Sequence, residues 1–194
     1  MSVTHLVVDL GGVLFRFDHA KRLDVLAGVF GLPAGRVHEL LWESGFSADC
    51  DSGRYASAAR VRARIRALVG FDGGDAELDE AWCSAFEPDP AVLATVVGGR
   101  GGRTLSLFTN NGPLEEEVLP RLHPDAFAPF DHLFFSWRLE GRKPDPAAFA
   151  AVAAALDATG DEILFVDDSA VNVAAARAAG WQGVRFDRSG LELA

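Results

Sequence analysis

The sequence has few cysteines, a shortage of basic residues and no long uncharged run. Its two cysteines, Cys50 and Cys83, lack the C-x-x-C spacing, so neither a disulfide framework nor a zinc site is indicated. The 194 residues carry 18 Lys and Arg against 28 Asp and Glu, and this net charge of −10 disfavours nucleic acid and anionic membranes as partners. No uncharged stretch approaches the roughly 18 residues of a membrane span, and no basic leader is visible. We therefore expect a cytoplasmic globular protein that binds a small molecule, as a monomer or a homodimer.

Short apolar runs, separated by helical patterns, are the main feature of the chain. Residues 6–8, 105–108 and 163–166 are apolar and too short for helices, so we interpret them as buried parallel strands. Residues 132–135 and 183–186 are weaker strand candidates. The helical patterns between the runs supply the crossovers that parallel strands require. The sequence therefore predicts an α/β fold, a Rossmann-like parallel sheet of about five strands with helices on both faces.

Residues 18–86 interrupt this alternation, because they show helical periodicity without clear strands. Asp18 is expected to cap the first of these helices. We predict a small all-helical cap, residues 18–86, inserted after the first strand of a catalytic core formed by residues 1–17 and 87–194. An insertion at this place stands over the carboxyl ends of the strands, where open α/β folds bind ligands, so it would act as a lid.

Polar residues come directly after the predicted strands. Asp9 follows the first strand and precedes Gly11 and Gly12, so a carboxylate would project into a turn whose amides can approach an anion closely. Thr109 and Asn110 follow the next strand and offer a hydroxyl and amide donors suited to phosphate oxygens. Because the carboxyl ends of parallel strands meet at one edge of a sheet, we expect these residues to line one crevice.

A lysine and an acidic pair complete the candidate site. Lys143 adds a compact positive charge on a loop. Asp167 and Asp168 follow the run 163–166, where their mutual repulsion is tolerable only beside a cation, a proton or open solvent. Such oxygen ligands suit Mg²⁺, which binds carboxylates together with substrate phosphate. Each element alone is more often a helix cap, a turn or solvated surface, but their joint occurrence at strand ends indicates phosphoryl transfer.

Together these motifs resemble the haloacid dehalogenase superfamily, and within it a helical-cap branch that includes glucose-1-phosphate phosphatases and the phosphatase domain of epoxide hydrolases. The resemblance covers nearly the whole chain. It implies that Asp9 is the nucleophile and that Lys143 binds the phosphate and stabilises its charge. Thr109, Asn110 and the backbone near Gly11 and Gly12 would bind the phosphate oxygens. The implied activity is that of a magnesium-dependent phosphatase. It would hydrolyse a small-molecule phosphate monoester, such as a sugar phosphate, through an aspartyl-phosphate on Asp9.

The same resemblance implies a Mg²⁺ site. In such relatives the ion is held by the nucleophilic carboxylate, by the backbone carbonyl two residues later and by the acidic motif. These groups correspond to Asp9, to Gly11 and to the pair Asp167 and Asp168. Which carboxylate of the pair is the inner-sphere ligand is left open at this stage.

Gly11 is a departure from the family pattern, because most phosphatases of this kind carry an aspartate there. That aspartate protonates the leaving alcohol and then activates water, a role that contributes a factor of about 10² to 10⁴. Glycine can lend its carbonyl to a metal but cannot transfer protons. The sequence therefore predicts slow turnover or a substrate with a good leaving group, such as a sugar 1-phosphate, and does not reveal what replaces the acid.

Two other functions are compatible with a missing acid. A 2-haloacid dehalogenase also lacks it, because a departing halide needs no proton, although Asp167 and Asp168 would repel an anionic substrate in the absence of a metal. A phospho-ligand-binding protein with little turnover would retain affinity through magnesium and Lys143. Chloride release would indicate the first alternative, and stabilisation by ligand without phosphate release would indicate the second.

Two features of the predicted cap have alternative interpretations. The segment 51–55 resembles a cap loop that approaches the active site in relatives, so Arg54 or Tyr55 would contact substrate there, whereas a plain turn is an equally good interpretation. A row of arginines would be able to attract an anionic substrate, but we interpret it as a solvated helix face. These residues are Arg60, Arg62, Arg64 and Arg66.

Overall fold

The structure is a computed structural model that describes residues 2–139 and 141–188. Met1, Glu140 and residues 189–194, which the predicted core includes, lie outside the described residues. Short turns of π or 3₁₀ helix cover Glu39–Glu43, Ser136–Arg138 and Gly160–Glu162. The strands and α-helices of the described residues are, in chain order, β1 (His5–Val8), β2 (Phe15–Phe17), α1 (His19–Phe30), α2 (Ala34–His38), α3 (Phe46–Asp51), α4 (Ala58–Val69), α5 (Asp75–Cys83), β3 (Phe86–Pro88), α6 (Pro90–Gly98), β4 (Thr104–Thr109), α7 (Pro113–Leu122), α8 (Pro124–Phe127), β5 (His132–Phe135), α9 (Pro146–Ala155), β6 (Ile163–Asp167), α10 (Ala170–Ala178) and β7 (Gln182–Arg185).

A parallel sheet forms the centre of the molecule, with the strand order β5-β4-β1-β6-β7. The central strand β1 pairs with β4 on one side and with β6 on the other. Each sheet strand coincides with a predicted run to within one residue at either end. The predicted Rossmann-like sheet is therefore confirmed.

Successive residues of a strand point to opposite faces of the sheet. Because both faces of the central strands carry apolar side chains, helices cover both faces and bury them. Leu6 and Val8 of β1 pack into the larger core, which includes Val118 of α7. Val7 between them packs into a second core with Phe149 of α9 and with Trp181. Burial on both sides explains why the central strands β1 and β6 are almost continuously apolar rather than alternating.

The segment between β2 and β3 is helical, with α1 to α5 joined by short turns. Asp18 caps α1 as expected, since its carboxylate accepts a hydrogen bond of 2.9 Å from the amide of Lys21. The division into a cap of residues 18–86 and a core of the remaining residues stays a prediction. Among the described residues, no helix combines the length and the apolarity that crossing a membrane would require.

A two-stranded ribbon at the base of the helical segment was not expected from the sequence. Strands β2 and β3 pair antiparallel, with Phe17 opposite Phe86. Three-residue strands are too short to show a recognisable alternation, and the side chain of Phe17 is partly exposed. The ribbon joins the two points where the chain enters and leaves the helical segment, and it thereby fixes both points next to β1.

The interpretation of the arginine row as a solvated face is wrong for Arg62. This side chain is buried, and it donates to both carboxylate oxygens of Asp79, at 2.7 and 2.9 Å, and to Glu117 at 2.7 Å. The reason is that α4 packs against α7, so this side of the helix faces protein. Arg60 and Arg64 are exposed as expected.

Breaking the buried pair should destabilise the protein. Replacement of Asp79 by Ala leaves Arg62 without its bidentate partner, so we expect Asp79→Ala to lower the free energy of unfolding by about 3 to 5 kcal/mol, measured by urea denaturation. The matched control is Glu87→Ala, which removes an exposed pair with Lys21 at 3.9 Å and should cost under about 1 kcal/mol. Equal losses in the two variants would contradict this assignment.

Candidate active site

Three carboxylates meet at the carboxyl edge of the sheet. Asp9 follows β1, and its amide donates to the carbonyl of Val166 in the neighbouring strand at 2.9 Å. Asp167 ends β6, and Asp168 follows it directly. One oxygen from each of the three carboxylates lies within 4.8 Å of the others. This cluster forms because adjacent parallel strands end at the same level, as the sequence predicted.

Lys143 places a buried positive charge between two of these carboxylates. Its ammonium lies 2.7 Å from Asp9 Oδ1 and 2.8 Å from Asp167 Oδ2, and it donates to the carbonyl of Phe108 at 2.8 Å. Only 1% of its side chain is exposed. An ammonium has three N–H donors, and each one has an acceptor here. The charge of Lys143 is therefore fixed in position.

Asn110 holds the backbone of Lys143 rather than presenting a free amide. Its Oδ1 accepts from the Lys143 amide at 2.9 Å, and its Nδ2 donates to the Lys143 carbonyl at 2.7 Å. The side chain thus positions the Lys143 backbone, and because Asn110 also lines the cavity at Asp9, its contact with phosphate stays a prediction.

Thr109 keeps a hydrogen-bond donor for a ligand. Its hydroxyl oxygen accepts from Asn111 Nδ2 at 2.6 Å, which leaves the hydroxyl proton free to donate. Thr109 lines the cavity beside Asp9, as predicted.

The two acidic residues after β6 have different surroundings. Asp167 is fully buried and accepts from Lys143, from the Ser169 amide at 2.8 Å and from Asn172 Nδ2 at 3.1 Å. Asp168 is exposed, and partial burial together with the charge of Asp167 raises its pKa. Asn172 was not predicted from the sequence as part of the site. Its position one helical turn after Ser169, which caps α10, could have indicated that it faces Asp167. Asp168 is thus the carboxylate with oxygens available to a cation.

The two glycines after Asp9 differ in function. Gly12 has a φ of 92°, and a Cβ there would overlap the Asp168 carboxylate. Its amide donates to the carbonyl of Phe15 at 2.8 Å. The phosphate contact expected from the backbone near Gly11 and Gly12 stays a prediction. Gly11 lines the cavity, and a Cβ there would meet only the rings of Phe86 and Phe17, at 3.6 and 3.7 Å.

The cavity at Asp9 has a volume of about 210 Å³. Its aromatic wall and Asn172 were not expected from the sequence. The residues that line it are Asp9, Gly11, Phe17, Phe86, Thr109, Asn110, Asn111, Lys143 and Asn172.

The segment 51–55, which was predicted to approach the site, contacts residues 136 and 137 of the predicted core. Ser136 Oγ donates to the Asp51 carbonyl at 2.7 Å, and Gly53, with a φ of 78°, lies so close to the Trp137 carbonyl that a Cβ would overlap it. Arg54 is exposed and pairs with Asp49. Neither Arg54 nor Tyr55 is among the described residues that line the cavity at Asp9.

Burial raises the pKa of Asp9 to about 6, with Lys143 opposing this shift and Asp167 adding to it. The residue is 8% exposed, so desolvation of its charge is the largest effect. At neutral pH the carboxylate is still predominantly ionised. It is therefore an anion with little water around it, which is the state required of a nucleophile.

Comparison with known proteins agrees with this geometry. A family model described as haloacid dehalogenase-like hydrolase matches residues 100–180. The enolase-phosphatase E1 of Streptomyces avermitilis is 44% identical over 97% of this chain and 81% of its own length. The chain belongs to the haloacid dehalogenase-like hydrolases. The expected family and its hydrolase class are therefore confirmed.

Solved structures show the same fold in other members of this group. A HAD family enzyme of Bacteroides thetaiotaomicron, bt-2542, solved with magnesium and inorganic phosphate, has a TM-score of 0.80 at 21% identity and covers 97% of this chain and 96% of its own. The L-2-haloacid dehalogenase of Xanthobacter autotrophicus has a TM-score of 0.64 at 18% identity, with 96% and 80% covered. These likenesses concern the fold of the hydrolase and leave its substrate open.

The raised pKa of Asp9 predicts a pH-dependent cost to stability. The folded state of this hydrolase favours the protonated carboxyl, so ionisation weakens folding as the pH rises from about 4 to about 6, after which the cost is constant. Asp9→Asn should therefore be more stable than the wild type by about 2 to 3 kcal/mol at pH 7 and nearly equal at pH 4. Chemical denaturation in EDTA across this range measures the difference, and a constant difference would contradict the prediction.

Proposed function

We propose that this hydrolase is a magnesium-dependent phosphatase that hydrolyses small-molecule phosphate monoesters through an aspartyl-phosphate on Asp9. The observation that carries the proposal is the buried Lys143 ammonium beside the Asp9 carboxylate, in a cavity that also receives the hydroxyl of Thr109. A phosphate needs such positive charge and donors, and the carboxylate cluster of Asp9, Asp167 and Asp168 suits the Mg²⁺ that accompanies a phosphate, whereas without a metal this cluster would repel the carboxylate of a 2-haloacid. The name of the Streptomyces relative and the magnesium and phosphate bound to the Bacteroides enzyme support this choice.

The residues at the site suit a magnesium ion. Asp9 and Asp168 offer carboxylate oxygens within reach of each other, and Gly11 offers its carbonyl. Because the oxygens of Asp167 are occupied by Lys143 and Asn172, we assign the inner-sphere position to Asp168. Bound there, the ion would neutralise phosphate charge and orient the ester relative to the nucleophile.

The reaction follows from the placement of these groups. An Oδ atom of Asp9 attacks phosphorus, and the bond to the ester oxygen breaks with its electron pair on the departing alcohol, which takes a proton from water. Lys143 and Thr109 stabilise the charge on the phosphoryl oxygens. Water then attacks phosphorus, the bond to Asp9 breaks, and phosphate is released with the carboxylate restored.

The leaving group receives little help from the protein at Gly11. The two side chains nearest to this position in the cavity are the aromatic rings of Phe17 and Phe86, which transfer no protons. We therefore propose that preferred substrates have leaving groups that depart without an acid, such as the anomeric oxygen of a sugar 1-phosphate.

The first test is phosphate release from sugar phosphates and p-nitrophenyl phosphate, with and without Mg²⁺. We expect release by the wild type only with the metal, and a loss of at least about 10³-fold in Asp9→Asn, because an amide cannot act as the nucleophile. Chloride release from a 2-haloacid without Mg²⁺ would instead make the protein a dehalogenase. Thermal stabilisation by phosphate esters without any release would make it a binding protein.

The second test restores the missing acid. A Cβ at Gly11 would make only ordinary van der Waals contacts with Phe86 and Phe17, so Gly11→Asp should fold and should accelerate hydrolysis of esters with poor leaving groups by about 10-fold or more. The gain for p-nitrophenyl phosphate, whose leaving group needs no proton, should be smaller. The control is Gly12→Asp, which should lose activity because its side chain would overlap Asp168. An unchanged ratio between the two esters in folded Gly11→Asp would show that another group already supplies the proton.

A further inference from the structure

A second compartment, with a volume of about 390 Å³, adjoins the cavity at Asp9. The two share Phe17, Asn110 and Asn111 in their walls. The second compartment is also lined by residues of the helical segment, among them Arg22 of α1. A phosphate ester bound at Asp9 has this space open to its leaving group.

Aromatic rings hold the guanidinium of Arg22 at the wall of this compartment. Its central carbon lies 4.8 Å from the ring centroid of Trp42, 5.1 Å from that of Phe17 and 5.5 Å from that of Trp82. The residue is only 5% exposed. Packing against three rings restricts the side chain and stabilises its positive charge in part, while burial lowers the pKa of the guanidinium.

The buried guanidinium lacks the partner that such a charge normally has. Its Nη2 contacts His19 Nδ1 at 3.2 Å, and its buried Nε has no hydrogen-bond partner. Arg62, buried to a similar extent, binds Asp79 through two hydrogen bonds. Among the described residues, no carboxylate forms an ion pair with Arg22. Glu115 and Asp51 line the same compartment and favour the charge of Arg22 at longer range, but neither forms an ion pair with it. A buried guanidinium without a direct carboxylate partner is costly, so its place at a cavity wall is suited to an anion supplied by a ligand.

We propose that Arg22 binds a carboxylate on the leaving group, so that the preferred substrate is the phosphate ester of a hydroxy acid or sugar acid. This inference rests on the proposed phosphatase function and names its substrate class. The fork of N–H donors on a guanidinium matches the two oxygens of a carboxylate.

The other charges of the compartment favour a carboxylate over a second phosphate. Asp51 and Glu115 also line it, and they would repel a dianion more strongly than a monoanion. Burial and the charge of Glu115 raise the pKa of Asp51 well above its usual range, and Arg142 and Arg22 oppose this shift. Arg142 adds a second, more exposed cation.

The test compares substrates that share one scaffold and one leaving oxygen. Glucose 1-phosphate, glucuronate 1-phosphate and glucose 1,6-bisphosphate differ at carbon 6, which is neutral, a carboxylate or a phosphate respectively. We expect the wild type with Mg²⁺ to have a kcat/KM about 10- to 100-fold higher for glucuronate 1-phosphate than for glucose 1-phosphate. A second pair repeats the comparison on a shorter scaffold: 3-phosphoglycerate carries a carboxylate where glycerol 3-phosphate carries a neutral hydroxymethyl group.

Variants of Arg22 test whether a preference for the carboxylate ester depends on this residue. Arg22→Met, which keeps the apolar packing, should reduce the ratio of the two kcat/KM values to about one, and Arg22→Lys should restore part of it. The matched control is Lys21→Met, which removes an exposed charge from the same helix and should keep the wild-type ratio. Thermal unfolding of each variant verifies that it is folded.

Several results would overturn the proposal. Equal rates for the neutral and carboxylate esters in the wild type would do so, and so would a preference for the bisphosphate. Loss of the preference in Arg142→Met but not in Arg22→Met would assign it to the other cation. If the wild type hydrolyses no ester at all, the phosphatase function fails separately. The ratio of Kd values for the same esters, measured by calorimetry with Mg²⁺ on the wild type and Arg22→Met, then decides the role of Arg22.

Discussion

Lys143 brings a positive charge into a part of the molecule from which water is excluded, and the ends of β1, β4 and β6 are organised around it. Its ammonium holds Asp9 and Asp167 together, although the two carboxylates would otherwise repel each other. Asn110 fixes the backbone of the lysine. Removal of this one charge would leave two buried acidic groups unpaired, so the arrangement of the cavity and the ionisation of its nucleophile have the same origin.

The sequence predicted the positions of the site residues more reliably than their contacts. Asp9, Thr109 and Asp167 could be placed because each directly follows or ends an apolar run, and parallel strands bring such ends together. The contacts of Asn110 and Gly12 could not be predicted, because they depend on loop geometry that no periodicity records. Asn110 has its amide bonded to backbone, and Gly12 has its N–H bonded within its own turn.

The helical character of the segment between β2 and β3 could be predicted from the sequence, but the burial of two of its arginines could not. Helical periodicity identifies which residues are apolar, and it assigns charged residues to solvent by default. Arg22 and Arg62 depart from this rule for different reasons. Arg62 is buried because a carboxylate on α5 meets it, whereas Arg22 is buried among aromatic rings at a cavity wall. Only three-dimensional contacts distinguish a structural arginine from one that faces a ligand.

The two compartments that meet at Phe17, Asn110 and Asn111 impose an order on the events of a turnover. In a mechanism with a phosphorylated Asp9, the departed alcohol still occupies the larger compartment and stands between phosphorus and incoming water. Hydrolysis must then wait for the alcohol to leave. If the proposed aspartyl-phosphate forms, a second alcohol that enters this space before water would itself be phosphorylated, and the walls of the larger compartment would then select the acceptor of that transfer.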